Sequence, residues 1–379
     1  ALRTAPRAFN TVTPHRQSNP QNSGYHERQD MTALRGLDAP SVTDWLHTNV
    51  PEAQGPLTFE LVAAGGSNLT YIVTREDGTR WALRRPPERA RIATAHEMSR
   101  EWKIISALAA HPECGIPVPE AVAFCDDDAV NGAEFYVMGF ADGLILRGPE
   151  EAKGLDESQC RRAAESLIDV QVAMAKLDVD AVGLGDLGRK EAYVERQLAR
   201  WLRQFEASIP EGQAGTPQIY ELHEQLLKSV PAQQVCGLVH GDYRFDNTVL
   251  GPDQRIIAVL DWELCTLGDP VADFVWSVLY WTNPDEEHDF GSPSPTRHPA
   301  FPRREEAIAL YTERSGFDLS ALAYYETFSW WKMACLLEGV AARLRAGAGG
   351  GLAGGGQGDI VRQRIDAMLK QATARARDL

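Results

Sequence analysis

The sequence predicts an α+β fold of two lobes: a small N-terminal lobe built on an antiparallel five-stranded sheet with one helix, and a larger, mostly helical C-terminal lobe. Three observations carry this expectation. Residues 57–84 read as strands separated by Gly-rich and Asp-Gly turns, one amphipathic segment divides them from two further strand-like stretches, and beyond Gly143 apolar residues recur at helical spacing. With 379 residues, 44% of them hydrophobic, the chain can pack two sizeable units.

Each element follows in order. Residues 1–36 are polar, rich in Asn, Gln, Arg and Pro, and show no period, so they read as a poorly ordered extension. "SVTDWLHTNV" reads as a short helix that Ser41 caps, with Asp44 three residues on closing a capping box. From Leu57 to Arg84 three strands are expected, joined by Gly65-Gly66-Ser67-Asn68 and then by Asp77-Gly78, a strong hairpin signal. A helix over 94–110 carries Met98, Ile105 and Leu108 among its apolar positions. "VPEAVAFC" and "EFYVMGF" supply two more strands around a turn at Asn131-Gly132, and "ADGLIL" marks the boundary between an N-lobe of residues 37–142 and a C-lobe of residues 143–379. In the second lobe helices are expected near 156–176, 189–207, 216–229, 270–281, 303–314, 319–345 and 359–376, interrupted by short strands in "CGLVH", "TVLG" and "RIIAVLD". The stretch "GAGGGLAGGGQG", 347–358, neither follows a strand nor carries the Lys of a phosphate-binding loop, so a flexible loop is expected there. No internal repeat is visible.

Composition narrows the function. A net charge of −15 opposes a nucleic-acid footprint and disfavours an anionic membrane surface. No apolar run approaches the ~20 residues of a membrane helix. The six cysteines form no C-x-x-C pair, so neither a zinc site nor a disulfide framework is indicated and a reducing cytoplasm is the expected setting.

The chemistry concentrates in "LVHGDYRFDNTVL", residues 238–250, where strand-formers break into His240, Asp242, Arg244, Asp246 and Asn247. H-x-D-x-x-x-x-N is the spacing of a kinase catalytic loop, in which the Asp accepts the proton of the attacking hydroxyl and the Asn reaches a magnesium ion. One hairpin later "AVLDWE" ends an apolar strand on Asp261, where a second metal-binding carboxylate is expected. Mg²⁺ takes hard oxygen ligands and often only one or two from protein, a need that Asn247 and Asp261 meet. Singly, each residue also reads as a turn former. Their order after a Gly-rich turn, a basic strand and an acidic helix sets them apart.

These motifs resemble the aminoglycoside phosphotransferase family of small-molecule kinases, whose loop reads H-G-D as at His240-Gly241-Asp242. "AGGSNLTY", "WALRRPP", "SREWKIISAL", "FYVMGF", "LDWE" and "GDPVADFVW" extend the likeness over about residues 40–345, and "RQLARWLRQFE" and "WKMACLLEGVAAR" resemble the branch also found fused to acyl-CoA dehydrogenases. The resemblance implies a protein-kinase-like fold. It also implies ATP and Mg²⁺ as cofactors and the transfer of a γ-phosphate to a hydroxyl of a small molecule. Asp242 would be the base, His240 would orient its loop, and Asn247 and Asp261 would hold the metal. Gly65, Gly66 and Ser67 would cover the phosphates, while Met138, Gly139 and Phe140 would form the hinge against adenine. Arg84 stands where such kinases normally offer Lys to the phosphates, with Glu101 as its helix partner. Arg85 competes for that place, but adjacent strand residues face opposite sides, so only one can enter the cleft. Asp269 and Asp273 are expected to cap the next helix and brace the loop.

Two other readings stay open. An acceptor of the hydroxy-acid or hydroxyacyl-thioester kind would need cations in its pocket, for which Arg244, Arg196 and Lys332 are candidates. A nucleotide-binding pseudokinase serving as an interaction module is the other, and only Arg84 argues for it. The run Asp285, Glu286, Glu287 and Asp289 reads as a solvated loop or as an attractor of polycations. The expected partner is a small hydroxylated substrate, with no nucleic acid or membrane. Oligomeric state is not indicated.

Overall fold

A computed structural model of the chain describes residues 34–64, 68–87, 95–286, 293–345 and 357–379. The expected extension up to residue 33, the turn residues Gly65, Gly66 and Ser67, the acidic residues Glu287 and Asp289, and residues 347–356 of the Gly-rich stretch lie outside the described residues.

Helix α1 (Ala39–Asn49) starts three residues earlier than expected. Its cap is Asp38, whose Oδ1 accepts from the Ser41 amide at 3.1 Å, so Ser41 is inside the first turn rather than capping it. Pro40 explains the shift, because a first-turn proline gives up an N–H that would have no intrahelical partner.

Strands β1 (Leu57–Ala64), β2 (Leu69–Arg75) and β3 (Arg80–Arg85) form a meander, helix α2 (Ala95–Ala109) follows, and β4 (Ala121–Cys125), the short helix α3 (Asp128–Asn131) and β5 (Phe135–Gly139) complete the small lobe. The sheet order is β1-β2-β3-β5-β4, antiparallel throughout. Asn131-Gly132 therefore ends a helical turn instead of forming a plain hairpin; four residues are too few for a helical period to be read. Register places Arg84 opposite Tyr136 and Ala82 opposite Met138, so these four share one face. Ala82, Tyr136 and Met138 pack with Met98, Ile104 and Leu108 of α2 and with the core of the large lobe. Leu83, Phe135 and Val137 point the other way, against Val42 and Leu46 of α1. The two-residue period of the strands thus gives each face its own apolar cluster.

The large lobe holds α4 (Pro149–Ala152), α5 (Glu157–Lys176), α6 (Tyr193–Ser208), α7 (Pro217–Lys228), β6 (Gly237–Val239), β7 (Thr248–Leu250), β8 (Ile256–Val259), β9 (Thr266–Gly268), α8 (Pro270–Leu279), α9 (Arg304–Ser315), α10 (Leu322–Arg345) and α11 (Gln357–Arg375). β6 pairs with β9 and β7 with β8, both antiparallel. β9 and α4 were not anticipated, since three or four residues carry no pattern of their own. The connection between the lobes crosses β7 closely. Leu144 exchanges both backbone bonds with Leu250 at 2.9 and 2.8 Å, and a Cβ on Gly143 would collide with the Leu250 carbonyl. Only glycine permits that approach. Among the described residues no helix is long and apolar enough to cross a membrane, and all six cysteines are free thiols.

Candidate active site

The loop after β6 is held from behind. His240 is fully buried; the Asp242 amide donates to its Nδ1 at 3.3 Å, which leaves Nε2 to donate to the Leu260 carbonyl at 2.9 Å. Its ring lies against Trp262 and Tyr243. With both nitrogens engaged, the imidazole orients the loop and ties it to the end of β8. Asp273 of α8 secures the same turn, its carboxylate accepting from the amides of His240 at 3.0 Å and Gly241 at 2.9 Å. Burial pushes the Asp273 carboxyl up, opposed by His240 and these amides. Gly241 has φ +86°, and a Cβ there would press on Leu264, so the bend requires glycine. Asp269 caps α8 through the Val271 amide and accepts from Tyr325 of α10 at 2.6 Å. Asp273→Asn is expected to keep one of the two amide acceptors and lose the other, lowering stability by roughly 1–3 kcal/mol in a urea titration, because a buried amide left without a partner is that unfavourable.

In front of this brace stand Asp242 and Asp261, with side chains 25% and 35% exposed. Asn247 donates through Nδ2 to the Asp242 carbonyl at 2.8 Å and to its Oδ2 at 3.0 Å, leaving its own Oδ1 as an acceptor. The Asn247 carbonyl accepts from Leu260 at 2.8 Å, which brings it beside the stem of Asp261. Asp261 itself has left-handed backbone angles, φ 65° and ψ 60°. A non-glycine residue held there is strained, and such strain persists where surrounding structure imposes it.

The small lobe reaches in through Arg84. Its guanidinium donates to Glu101 at 3.1 Å and to Asp261 at 3.1 Å, spanning the two lobes. Burial disfavours the Arg84 charge, but Tyr136, Glu101 and Asp261 outweigh it and hold the group even more firmly protonated. Burial raises the Glu101 carboxyl, and Arg84 together with hydrogen bonds from Tyr136 at 2.7 Å and Asn68 at 3.4 Å works against that rise. Arg85 points to the opposite face, where it donates to the carbonyls of Gly36, Pro86 and Asn131 and ties the segment before α1 to the end of α3. Only Arg84 enters the cleft, as strand alternation requires.

The remaining candidates divide. Met138 is buried on the cleft face of β5. The amides of Gly139 and Phe140 already donate to the carbonyls of Glu120 and Arg80, and the Phe140 ring lies under Arg80 at 4.3 Å. Arg244 lies between Asp242 at 3.2 Å and Asp246 at 3.0 Å and stacks on Tyr280. Arg196 donates to the carbonyls of Arg189 and Leu267, and Lys332 is buried between Trp201 and Trp276. The sequence reading missed Tyr136 and Asn68 as partners of Glu101. Tyr136 was recoverable from its place two residues before Met138 on the same strand face, but Asn68 carried no signal.

Among the described residues no group of three or more His, Cys, Asp and Glu is arranged around a common point for a metal. The pair of hard oxygen donors offered by Asn247 and Asp261 still fits an ion that takes most of its shell from phosphate and water.

The profile of the phosphotransferase enzyme family matches residues 58–294. Acyl-CoA dehydrogenase family member 10 of Mus musculus is 32% identical over 298 residues, covering 77% of this chain and 27% of that protein. Human acyl-CoA dehydrogenase family member 11 is 29% identical over 336 residues, covering 86% of this chain and 42% of its own length. The chain therefore spans less than half the length of these relatives. Among solved structures, one from Ralstonia eutropha described provisionally as an aminoglycoside phosphotransferase superposes with a TM-score of 0.76 at 28% identity, over 90% of this chain and 99% of that one. A streptomycin–ATP ternary complex of another aminoglycoside phosphotransferase gives 0.55 at 15% identity over 80% of this chain and 91% of that one, a likeness of fold alone.

Proposed function

Because the chain belongs to the phosphotransferase enzyme family, whose kinase-like fold implies phosphoryl transfer, we propose that it moves the γ-phosphate of ATP to a hydroxyl of a small molecule with the help of Mg²⁺. The observation that carries this reading is Arg84, which binds a helix carboxylate of its own lobe and Asp261 of the other at once. The pair with the helix carboxylate is the one expected of the phosphate-gripping cation in a kinase cleft, and the contact with Asp261 brings that cation to the proposed metal-binding carboxylate. A guanidinium suits the task because it keeps its charge and can present two parallel donors to a phosphate.

In this reading Asp242 accepts the hydroxyl proton while Asn247 and Arg244 hold its carboxylate in place. Asn247 Oδ1 and the Asp261 carboxylate would hold Mg²⁺, which when bound would neutralise charge on the β- and γ-phosphates. Asp273 and His240 keep the loop from moving as charge builds, which is the preorganisation such transfers depend on. Phosphoryl transfer of this kind needs little covalent chemistry from protein, so positioning carries most of the effect.

A second reading concerns the acceptor. The similarity to two acyl-CoA dehydrogenase family members favours a hydroxy acid or a hydroxyacyl thioester over a polycationic antibiotic. The free thiols agree with a reducing, cytoplasmic setting. ADP release in the presence of Mg-ATP, followed over a panel of hydroxylated acids, thioesters, sugars and aminoglycosides, tests both. Acid- or thioester-dependent release is expected, and release stimulated by aminoglycosides alone would reject the second reading while keeping the first. Failure of millimolar Mg-ATP to raise the melting temperature would reject both.

A further inference from the structure

Lys332 sits in the middle of α10 and is 7% exposed. Its ammonium lies 3.8 Å from the centre of the Trp276 ring on α8 and 5.6 Å from that of Trp201 on α6. Among the described residues it forms no ion pair or hydrogen bond. The charges that face it are Asp273 of α8, Asp242 of the catalytic loop and Arg200 of α6. Burial is the largest influence and brings its pKa down to about 8, the carboxylates notwithstanding.

A further unmet donor lies at the same place. Nε1 of Trp276, whose ring carries the Lys332 ammonium, is buried and without an acceptor among the described residues, and Arg200, which also acts on Lys332, stacks on Trp201 at 5.6 Å. Lys332 thus brings a buried ammonium within the field of Asp242, with no carboxylate bonded to it, in a chain whose net charge is −15. Buried donors without acceptors are unfavourable. A methionine would fill the space between the tryptophans without burying a charge, so packing alone gives no reason for lysine. Aromatic faces stabilise the ammonium in the absence of ligand but leave its N–H groups unspent.

We propose that Lys332, framed by Trp201 and Trp276, is the specificity-determining residue of the acceptor site and receives an anionic group, carboxylate or phosphate, carried by the hydroxylated substrate. The proposal rests on the phosphotransferase reading above, for it takes Asp242 as the place where the acceptor hydroxyl lies. It excludes polycationic acceptors, which a buried ammonium would repel.

Melting curves decide it. Wild type, Lys332→Met and Lys332→Gln are melted with millimolar glycerate, glycerol phosphate, glycerol or aminopropanediol, each with and without Mg-ADP. Glycerate or glycerol phosphate is expected to raise the melting temperature of wild type, with binding at least tenfold weaker in both variants; glycerol and aminopropanediol are expected to do nothing. Which of the two anions acts tells carboxylate from phosphate. The variants themselves should melt no lower than wild type, since each removes a buried charge. The proposal falls if no anion stabilises wild type, if the variants respond to anions as wild type does, or if aminopropanediol is the better ligand. It falls as well if both variants melt well below wild type, which would make Lys332 a structural counter-charge to Asp273. Mg-ADP is read separately: its failure to stabilise wild type would sink the nucleotide reading while the anion result still stands on its own.

Discussion

Asp242→Asn is expected to lower phosphoryl transfer by about 10²–10⁴ while leaving nucleotide affinity near normal, the range typical for loss of a general base. The substitution keeps the shape of the side chain and its acceptor for Asn247, gives up the one for Arg244, and leaves the bonds from Asp273 to the loop amides in place, so the loop should hold its conformation. Asp261→Asn is expected to behave differently. Its carboxylate is assigned to the metal and also pairs with Arg84. Turnover and Mg²⁺-dependent nucleotide affinity should therefore fall together, and raising Mg²⁺ should rescue this variant in part but not the first. Single-turnover rates and nucleotide binding measured across a magnesium titration separate the two. Equal loss of nucleotide affinity in both, or an Asp242→Asn protein that turns over like wild type, would remove the loop from catalysis.

Arg84→Ala should cost stability as well as function. Glu101, whose side chain is 1% exposed, would lose its counter-charge and keep only the neutral donors Tyr136 and Asn68. Removing one partner of a buried ion pair typically destabilises by roughly 3–5 kcal/mol. The thermal stabilisation by Mg-ATP should largely vanish too, because the phosphates lose their cation. Arg84→Lys separates the two effects. One ammonium can restore a charge beside Glu101 but lacks the fork that reaches Glu101 and Asp261 together. It should thus recover most of the stability in a urea titration and only part of the nucleotide response. A Lys variant equal to wild type in both would show that the span between the lobes has no role.

The features readable in the sequence were those written in local order. Asp77-Gly78 fixes a hairpin through backbone geometry, and His240, Asp242 and Asn247 share one hydrogen-bonded loop, which Leu260, just before Asp261, joins through the Asn247 carbonyl. Opposite facing of Arg84 and Arg85 follows from the pleat alone. What escaped depends on partners distant in the chain. Asp38 displaced Ser41 as cap because Pro40 allowed an earlier start, a competition between neighbours that a capping pattern does not weigh. Nor does the run Trp330-Trp331-Lys332 disclose that the lysine's aromatic neighbours are Trp201 and Trp276 on two other helices. The destination of a side chain on a helix buried along most of its length is settled by packing, which spacing within that helix cannot supply.

The bond from Asp273 to the two loop amides has an evolutionary meaning. It anchors the bend that carries Asp242, the proposed base, to α8 rather than to any residue proposed to touch an acceptor. If the acceptor lies against α6 and α10 as proposed, substitutions there can accumulate without disturbing that bend, so the choice of acceptor would be free to drift while the proposed transfer step is inherited intact. Relatives of such a protein would be expected to diverge first at positions such as Arg196, Arg200 and Lys332 and last at Gly241 and Asp273, the separation of scaffold from site by which one fold comes to host many substrates.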